Sequence, residues 1–566
     1  MTGCRIAVYG LGRSGLAVAR AALALGATPT VFDSARPERM VKQGVVAEAQ
    51  ALGVEMHFGW EGRFDPSEVD LLVPNPGVDS RSSVLRHARQ HGIEIASEIE
   101  FAYRVLEARE LAPPPQYLAP IVAITGTNGK STTTVMTYLA LRECGIDAVL
   151  CGNVFGTGYP EITMTEAALN AKAGQVLVAE VSSFQLEWVS RFRAAVAGIT
   201  NIAPDHLDRY DSFEDYAATK KRIFAGQQPE DYKVVHRGIG FQPMSAAEAD
   251  ATIIKRQAAN LPHWTAEHGT YAVRSSSADA AGFQPADPGL EGPGTHRLEA
   301  DATGSRLGRL PHVLTFGPDG DFAQVNEQEI RILDRAIPTS DMKVVGAHNY
   351  SNASMAGLLA YATLVWIIRN EPRPLAMSRL MSMAQVIDAR IDQTSRNAET
   401  DQTGKHKTAK TWALPEPIVS ALTAFPGIEH RMEFVGEKSG VRVVNNSMCT
   451  NPEAVVNSAR AVDGHLHLLM GGKDKDLPFE PVRFFLNEHP HEAYLYGEAK
   501  DVLNTQLGGA FPTYNTLQEA FRAATERARP GETIVLAPGC ASTDQFDDFR
   551  DRGNVFKQIA MEWLNS

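Results

Sequence analysis

The sequence predicts an α/β protein of three domains, each a mostly parallel sheet covered by helices. Three observations predict it. The chain has 566 residues, several times the ~100–200 residues of one domain. Apolar strand-like runs alternate with helix-like runs near both ends, as parallel strands joined by crossovers do. Two glycine-bearing loops, "GLGRSG" and "GTNGKST", each stand between a strand pattern and a helix pattern, the place where such sheets hold phosphates.

Taken in order, "RIAVYG" reads as the first strand, followed by a helix from about Gly15 to Leu25, the strand "PTVFD", a helical run, "VDLLVPNPGV" and a helix ending near His91. "LAPPPQYLAP", Leu111 to Pro120, is too proline-dense to continue a helix and marks the first linker. The rhythm resumes with "IVAIT", the helix "KSTTTVMTYLALRECG" and the buried-strand run "QVLVAEV". From Arg237 to Ser305 the chain turns to Ala, Gly, Ser, Pro and isolated charges, which reads as an insert. An imperfect duplication lies within it: "GFQP" begins at Gly240 and Gly282, and "EADAT" at Glu248 and Glu299. A second polar stretch, Ala389 to Thr411, has the composition of a surface or disordered segment. Between the two, "VVGAHNYSNASMAGLLAYATLVWII" reads as a helix with a small-residue face, and "VRVVNNS", "HLHLLMGG", "EAYLYG" and "ETIVLAPG" supply strands of a third unit. The expected boundaries are 1–97, 98–428 and 429–566.

Composition excludes several classes. The net charge is −13, with no basic stripe interleaved with aromatics, so no nucleic-acid partner is expected. No run of ~18 apolar residues and no tripartite leader is present, so no membrane partner is expected and a cytoplasmic protein is. Cys4, Cys144, Cys151, Cys449 and Cys540 stand at unrelated spacings, which reads as buried thiols in a reducing compartment.

Gly10, Gly12 and Gly15 fit G-x-G-x-x-G at the start of a helix, with Asp33 ending the next strand. This is the diphosphate fingerprint of a Rossmann-like domain. Alone it leans toward a dehydrogenase, and a glycine turn closing a tight corner is the structural alternative. "ITGTNGKST" is more specific. Gly126 and Gly129 open the backbone to phosphate oxygens, Lys130 brings a point charge and Ser131 a hydroxyl for Mg²⁺. Ile124 stands where the usual loop has its first glycine. The loop is therefore expected to hold a nucleoside triphosphate, the alternative being a serine-capped helix start after a turn. Glu180 ends the next apolar strand, as a metal beside a phosphate loop requires of a hard oxygen ligand, or as a solvated rim residue. "NIAPDHLDRY" places Asp205, His206 and Asp208 past another strand, with His206 either a metal ligand or a turn histidine. "SFEDYAATKKRIFA" reads as a helix with Ser212 and Asp215 forming a capping pattern. On that motif alone Lys220 and Lys221 are surface lysines.

The blocks "GTNGKST", "GNVFG", "EVSSFQLE", "DHLDRY", "GAHNYSN", "EHRMEF", "GGKDKDLPF" and "APGCASTDQFDDFRDRG" resemble the Mur ligases, in family order over nearly the whole chain. "CASTDQFDDF" resembles the glutamate-adding branch most specifically. The resemblance implies a Rossmann-like UDP-binding domain, a central P-loop domain for ATP and a C-terminal Rossmann-like α/β domain for the amino acid. Two phosphate loops then serve two nucleotides, and nicotinamide chemistry is unnecessary. The implied reaction is ATP-dependent addition of D-glutamate to UDP-N-acetylmuramoyl-L-alanine through an acyl phosphate, in peptidoglycan precursor synthesis, by a monomer.

By the same resemblance, Gly12, Arg13, Ser14, Asp33 and Asn153 contact the UDP-sugar, beside a turn at Asn75. Gly126, Thr127, Asn128, Gly129, Lys130, Ser131, Thr132, Asn349, Asn352, Arg431 and Asn446 serve ATP. Ser131, Glu180, His206 and Lys220 hold two Mg²⁺, with Lys220 carbamylated and so turned from a cation into an anionic ligand. Lys130, Glu180, His206 and Lys220 carry the catalysis. Thr450, Lys475, Ser542, Thr543 and Phe549 form the amino-acid pocket, and "PGIEHR" near Gly427 is the hinge. Where this branch usually reads Asn-Asp-Ser-Lys-Ala-Thr-Asn the chain reads "NNSMCTN", with Asn446 for a carboxylate and Met448 for a lysine, and Pro478 stands where Asp is favoured. Either an ion pair has been lost together, or the site takes another amino acid, such as L-glutamate. A folate-type acceptor and a non-catalytic nucleotide-binding relative are the remaining alternatives.

Overall fold

The computed structural model describes residues 1–35, 44–110, 119–203, 209–237, 312–344, 346–370, 412–460, 462, 464–475, 477–489 and 491–566. The two segments read as inserts, most of the first linker, and Asp205, His206 and Asp208 lie outside these residues.

Three sheets follow one another along the chain. The first holds β1 (Arg5–Tyr9), β2 (Thr28–Asp33), β3 (Glu55–Phe58), β4 (Leu71–Pro74) and β5 (Glu94–Ile95) in the order β3-β2-β1-β4-β5, all parallel. The second is centred on β6 (Ile121–Thr125), β7 (Ala148–Gly152), β8 (Val176–Glu180), β9 (Val196–Ile199), β10 (Tyr232–His236) and β11 (Val313–Phe316). These run parallel in the order β11-β10-β9-β6-β8-β7, and an antiparallel meander, β12 (Ala323–Val325), β13 (Glu329–Ile332) and β14 (Arg335–Pro338), extends the β11 edge. The third is β15 (Glu433–Lys438), β16 (Val441–Asn445), β17 (Leu466–Gly471), β18 (Glu492–Tyr496), β19 (Thr513–Tyr514) and β20 (Thr533–Gly539), ordered β15-β16-β20-β17-β18-β19. Only β15 runs antiparallel to its neighbour.

The central strands read as unbroken apolar runs because they are covered on both faces: β6, β8 and β9 are buried at every position. Helix Ala347–Asn370 covers one face. It is long and apolar enough to cross a membrane, but most of its apolar window is buried in this core. Four cysteines are buried as expected, whereas Cys4 is half-buried.

Several strands escaped the sequence reading, β3, the three meander strands and β15 among them. β3 lies in the run read as helical, at the sheet edge, with exposed and half-buried positions alternating. The meander strands span three or four residues each, too short for a periodic signal. β15 is half-exposed along most of its length.

Each sheet has a point where neighbouring strands lead their helices to opposite sides: at β1 between β2 and β4, at β6 between β8 and β9, and at β20 between β16 and β17. Crevices open at the carboxyl ends of strands at such points. Both glycine loops follow the strand at its sheet's switch point.

The first two units are clamped by helix Glu98–Glu110. Glu100 accepts from the backbone N–H groups of Ser190, Arg191 and Phe192 at 2.8–2.9 Å and from Arg104 at 2.9 Å. Burial pushes its carboxyl up, but these donors and the Arg104 charge outweigh it and hold the group below the usual carboxylate value. A depressed folded value stabilises above the unfolded pKa and is lost as pH falls through the folded one. Glu100→Gln is therefore expected to lower stability by about 2 kcal/mol at neutral pH. The deficit should shrink below pH ~4.5 as the wild-type carboxylate protonates, and urea midpoints at pH 7 and pH 3.5 check this.

Candidate active site

At the β6 switch point the loop Gly126–Gly129 is held by its own carbonyls. Thr200 Oγ1 donates to Asn128 O at 2.6 Å, Lys130 Nζ to Thr127 O at 2.8 Å and Lys220 Nζ to Gly126 O at 2.7 Å. The Thr127 and Asn128 N–H groups are bonded to Asn201, to its backbone oxygen at 2.9 Å and to its Oδ1 at 3.0 Å, so the loop is braced from both sides. Helix Lys130–Glu143 begins there with Gly129 as N-cap in the left-handed region, no side chain capping it and no acidic residue in its first turn. Those first N–H groups and the positive end of the helix dipole suit an anion. The glycines are required by space as well as by φ. A Cβ on Gly126 would stand 1.8 Å from Thr200 Oγ1, and one on Gly129 2.2 Å from Asn352 Oδ1.

Glu180 ends β8, paired in register with Ile124 of β6. It is 2% exposed. One carboxylate oxygen accepts from Asn153 Nδ2 at 3.2 Å, while Oε2 has no hydrogen-bond partner among the described residues. A buried carboxylate oxygen left this way is costly without a cation, and a hard divalent ion is the fitting one. Ser131 Oγ lies in the same crevice, in a residue 4% exposed. The donor set therefore fits Mg²⁺ beside a phosphate. Lys220, a surface lysine by its motif alone, is 2% exposed, against the loop and 4.6 Å from the Tyr216 ring; Lys221 stays half-buried.

The third unit reaches this crevice. Arg431 donates from Nη1 to Ser131 Oγ at 3.1 Å and packs its Nε 3.3 Å from Met448 Sδ. Burial pushes its guanidinium below its usual value, with the Glu180 charge opposing. Thr132, Asn349, Gly427, Ile428, Arg431 and Phe434 line a cleft beside the loop. Asn352, expected near adenine, instead lies buried under Gly129, accepting from Thr133 Oγ1 at 3.4 Å. Asn446, assigned to the same nucleotide, is spent inside its own unit, accepting from Met432 N–H at 3.2 Å and donating to Ser458 Oγ at 2.6 Å.

The N-terminal loop repeats the design. Gly12 caps helix Arg13–Ala24 with no side-chain cap and no first-turn acid. A Cβ on Gly10 or Gly12 would come within 2.8 Å of Asn75. Asp33 accepts from Leu11 N–H at 2.7 Å, fixing the loop, and the Ser14 side chain is half-buried at its rim. In the third unit Lys475 Nζ donates to Thr450 O at 3.0 Å, Ser542 is buried and Thr543 exposed. Phe549 and Met448 both pack against Gly156 of the central unit.

Three residues that sequence reasoning missed tie these parts together. Glu161 bonds to Arg13 and to Arg550, joining all three units at one carboxylate. Arg209 donates to Pro76 O at 3.0 Å and Val78 O at 2.8 Å and pairs with Glu187 at 2.9 Å, fixing the turn at Asn75. Arg552, fully buried, holds the loops after β16 and β20.

The family models decide what these loops belong to. Residues 4–97 match the Mur ligase MurD-like N-terminal domain, 124–271 the Mur ligase middle domain and 430–540 the Mur ligase glutamate ligase domain. A protein of Acidobacterium capsulatum, named UDP-N-acetylmuramoylalanine-D-glutamate ligase, is 30% identical over 563 residues, covering 99% of this chain and 97% of its own. The chain belongs to the Mur ligase family. This Mur ligase is also 29% identical over 566 residues to a protein of the same name from Caldanaerobacter subterraneus, covering 99% and 98% of the two chains. A third relative of that name, from Anaeromyxobacter dehalogenans, is 30% identical over 567 residues. The crevices at the three switch points lie within the matched blocks.

Proposed function

We propose that this Mur ligase joins D-glutamate to UDP-N-acetylmuramoyl-L-alanine at the expense of ATP, as a cytoplasmic monomer acting on small molecules. The observation that carries the reading is the uncapped helix start at Lys130 beside the unpartnered Glu180 Oε2, with Arg431 reaching in from the third unit. The N-terminal loop receives the UDP diphosphate near Gly12, Arg13, Ser14, Asp33 and Asn153. The loop from Gly126 to Thr132 receives the ATP phosphates, and Asn349 lines the base cleft. Thr450, Lys475, Ser542, Thr543 and Phe549 receive the amino acid. In this reading the expected domains, 1–97, 98–428 and 429–566, each bring one substrate.

The chemistry must bring two anions together and keep water away. Lys130 neutralises the transferred phosphoryl group as the alanyl carboxylate attacks it. Mg²⁺, held by Ser131, Glu180, His206 and a carbamylated Lys220, supplies further charge cancellation. The residues around Gly427 admit a hinge: Gly427 has φ +98°, and His430 and Met432 hold left-handed values of +62° and +48°. Closure over the acyl phosphate excludes water and presents the incoming amine. Asn446 and Met448 fit the neutral reading of the departure, since each end of the Asn446 amide has a partner within its own unit and Met448 Sδ packs against Arg431.

Phosphate release from ATP and Mg²⁺ with UDP-N-acetylmuramoyl-L-alanine tests this, across D-glutamate, L-glutamate, D-aspartate, meso-diaminopimelate and no amino acid. Release confined to D-glutamate is expected. Release with another amino acid would assign Met448 and its neighbours to specificity, and no release with any would overturn the ligase reading.

A further inference from the structure

We propose a second divalent-metal site, remote from the nucleotide crevice, formed by His465, His467 and Glu532 and taking a borderline ion such as Zn²⁺. One ligand atom from each lies within 4.8 Å of the others. His467 and His465 flank Leu466 at the start of β17, and Glu532 immediately precedes β20, the strand paired with β17 through Leu466 and Thr533. The amino-acid pocket sits at the other, carboxyl ends of these strands, roughly 20 Å away at 3.3 Å per residue.

The positions of the protons decide what the cluster can hold. Tyr494 Oη donates to Glu492 Oε2 at 2.6 Å, so its oxygen is left to accept from His467 Nδ1 at 3.0 Å. That bond puts a proton on Nδ1. A neutral ring then turns the Nε2 lone pair toward Glu532 Oε2, itself only an acceptor, at 2.8 Å. Two lone pairs at that hydrogen-bond distance need a second proton on the ring, and a metal ion taking the place of that proton would sit about 2.0–2.1 Å from each atom and part them to about 3.3 Å. An imidazolium would need the carboxylate alone. The second histidine, close to both atoms, completes a His₂Glu set, three protein ligands that leave one position for water. Behind it stands the arrangement that orients metal-bound histidines: the ring's other nitrogen donates to an oxygen, which is itself anchored on a carboxylate.

The neighbouring groups are accounted for. His491 Nδ1 accepts from Leu466 N–H at 3.2 Å, which engages that nitrogen elsewhere. Arg529 presents its backbone N–H to Glu532 at 2.8 Å, and Arg527 pairs with Glu492 at 3.4 Å rather than with Glu532. Bound metal would fasten the amino-terminal ends of β17 and β20, a structural role.

Chelator-stripped, full-length protein titrated with Zn²⁺ in millimolar Mg²⁺, which keeps the oxygen-lined nucleotide site occupied, tests the proposal by equilibrium dialysis and thermal melting. One equivalent of zinc and a raised Tm are expected, with unchanged binding in Glu180→Gln. Glu532→Gln, which keeps an oxygen for Arg529 N–H, and His465→Asn should each weaken binding by at least tenfold. Tyr494→Phe should weaken it by about 10–100-fold. Ligase turnover of Glu532→Gln should equal wild type. Zinc binding that survives both ligand substitutions, or no zinc bound by wild type, would overturn the site in favour of an imidazolium–carboxylate pair.

Discussion

Lys220→Ala is expected to reduce turnover by about three powers of ten or more, the scale on which charge-positioning groups in phosphoryl transfer act. At 1.36 kcal/mol per decade this is about 4 kcal/mol of transition-state stabilisation. Part of it should return on adding formate or acetate. Lys220 lies on the helix Phe213–Lys221, 2% exposed, with Nζ 2.7 Å from Gly126 O. As an ammonium it would anchor the phosphate loop from behind. As a carbamate it would present oxygens to the same crevice as Glu180 Oε2, the atom left without a partner among the described residues. The two roles respond differently to rescue. A small carboxylate can restore an anionic ligand in the space left by the side chain, whereas it cannot replace a donor to Gly126 O. Full rescue-independent activity would remove Lys220 from the mechanism. Loss without rescue, with the fold retained by circular dichroism, would leave it as the loop's anchor and no more.

The parts of the site legible in the sequence are those whose partners lie close along the chain or repeat a local geometry. The two loops announced themselves because a strand, a glycine turn and a helix start are consecutive, and the steric need for glycine is written in the residue itself. Glu180 was legible because it ends a strand beside the loop strand. The residues that hold the units together were not. Arg209 meets Pro76 across 133 positions, and Glu161 meets Arg13 across 148 and Arg550 across 389. No local pattern marks an acid whose partners lie in two other folding units. For Asn352 the position near the loop was legible, but that its amide lies against Gly129 was not, because this depends on the rotation of the helix Ala347–Asn370. The same holds for the short strands of the meander, whose pairing is set by tertiary neighbours rather than by their own few residues.

Arg552 had a faint signal, since it lies on one stripe of its helix with Phe556 and Ala560, both fully buried. A charge on an apolar stripe asks for partners, and here they are loop oxygens. Nε donates to Ser447 Oγ at 3.0 Å, Nη2 to Ser447 O at 2.9 Å, and Nη1 to Cys540 O and Ala541 O at 3.2 Å each. One planar guanidinium thus fixes the turns after β16 and β20, the turns that carry Thr450, Ser542 and Thr543. Arg552→Met fills the volume without donors, so the cost is chiefly that of buried oxygens left unbonded, ~1–3 kcal/mol each. A total of about 4 kcal/mol is expected for the C-terminal unit, a fall in Tm of roughly 10 °C or more. In the surviving folded fraction the KM for the amino acid should rise while the KM values for ATP and the UDP-sugar stay near wild type, because in the proposed reading the phosphate loops for those two substrates follow β6 and β1, on other sheets. Arg552→Lys should fall between, since a single ammonium cannot span both turns. An unchanged melting curve for Arg552→Met would mean that the loops hold themselves. A uniform rise in all three KM values would mean that Arg552 acts on the docking of the third unit against Gly156, through the Phe549 at the head of its own helix, and not on the pocket those turns form.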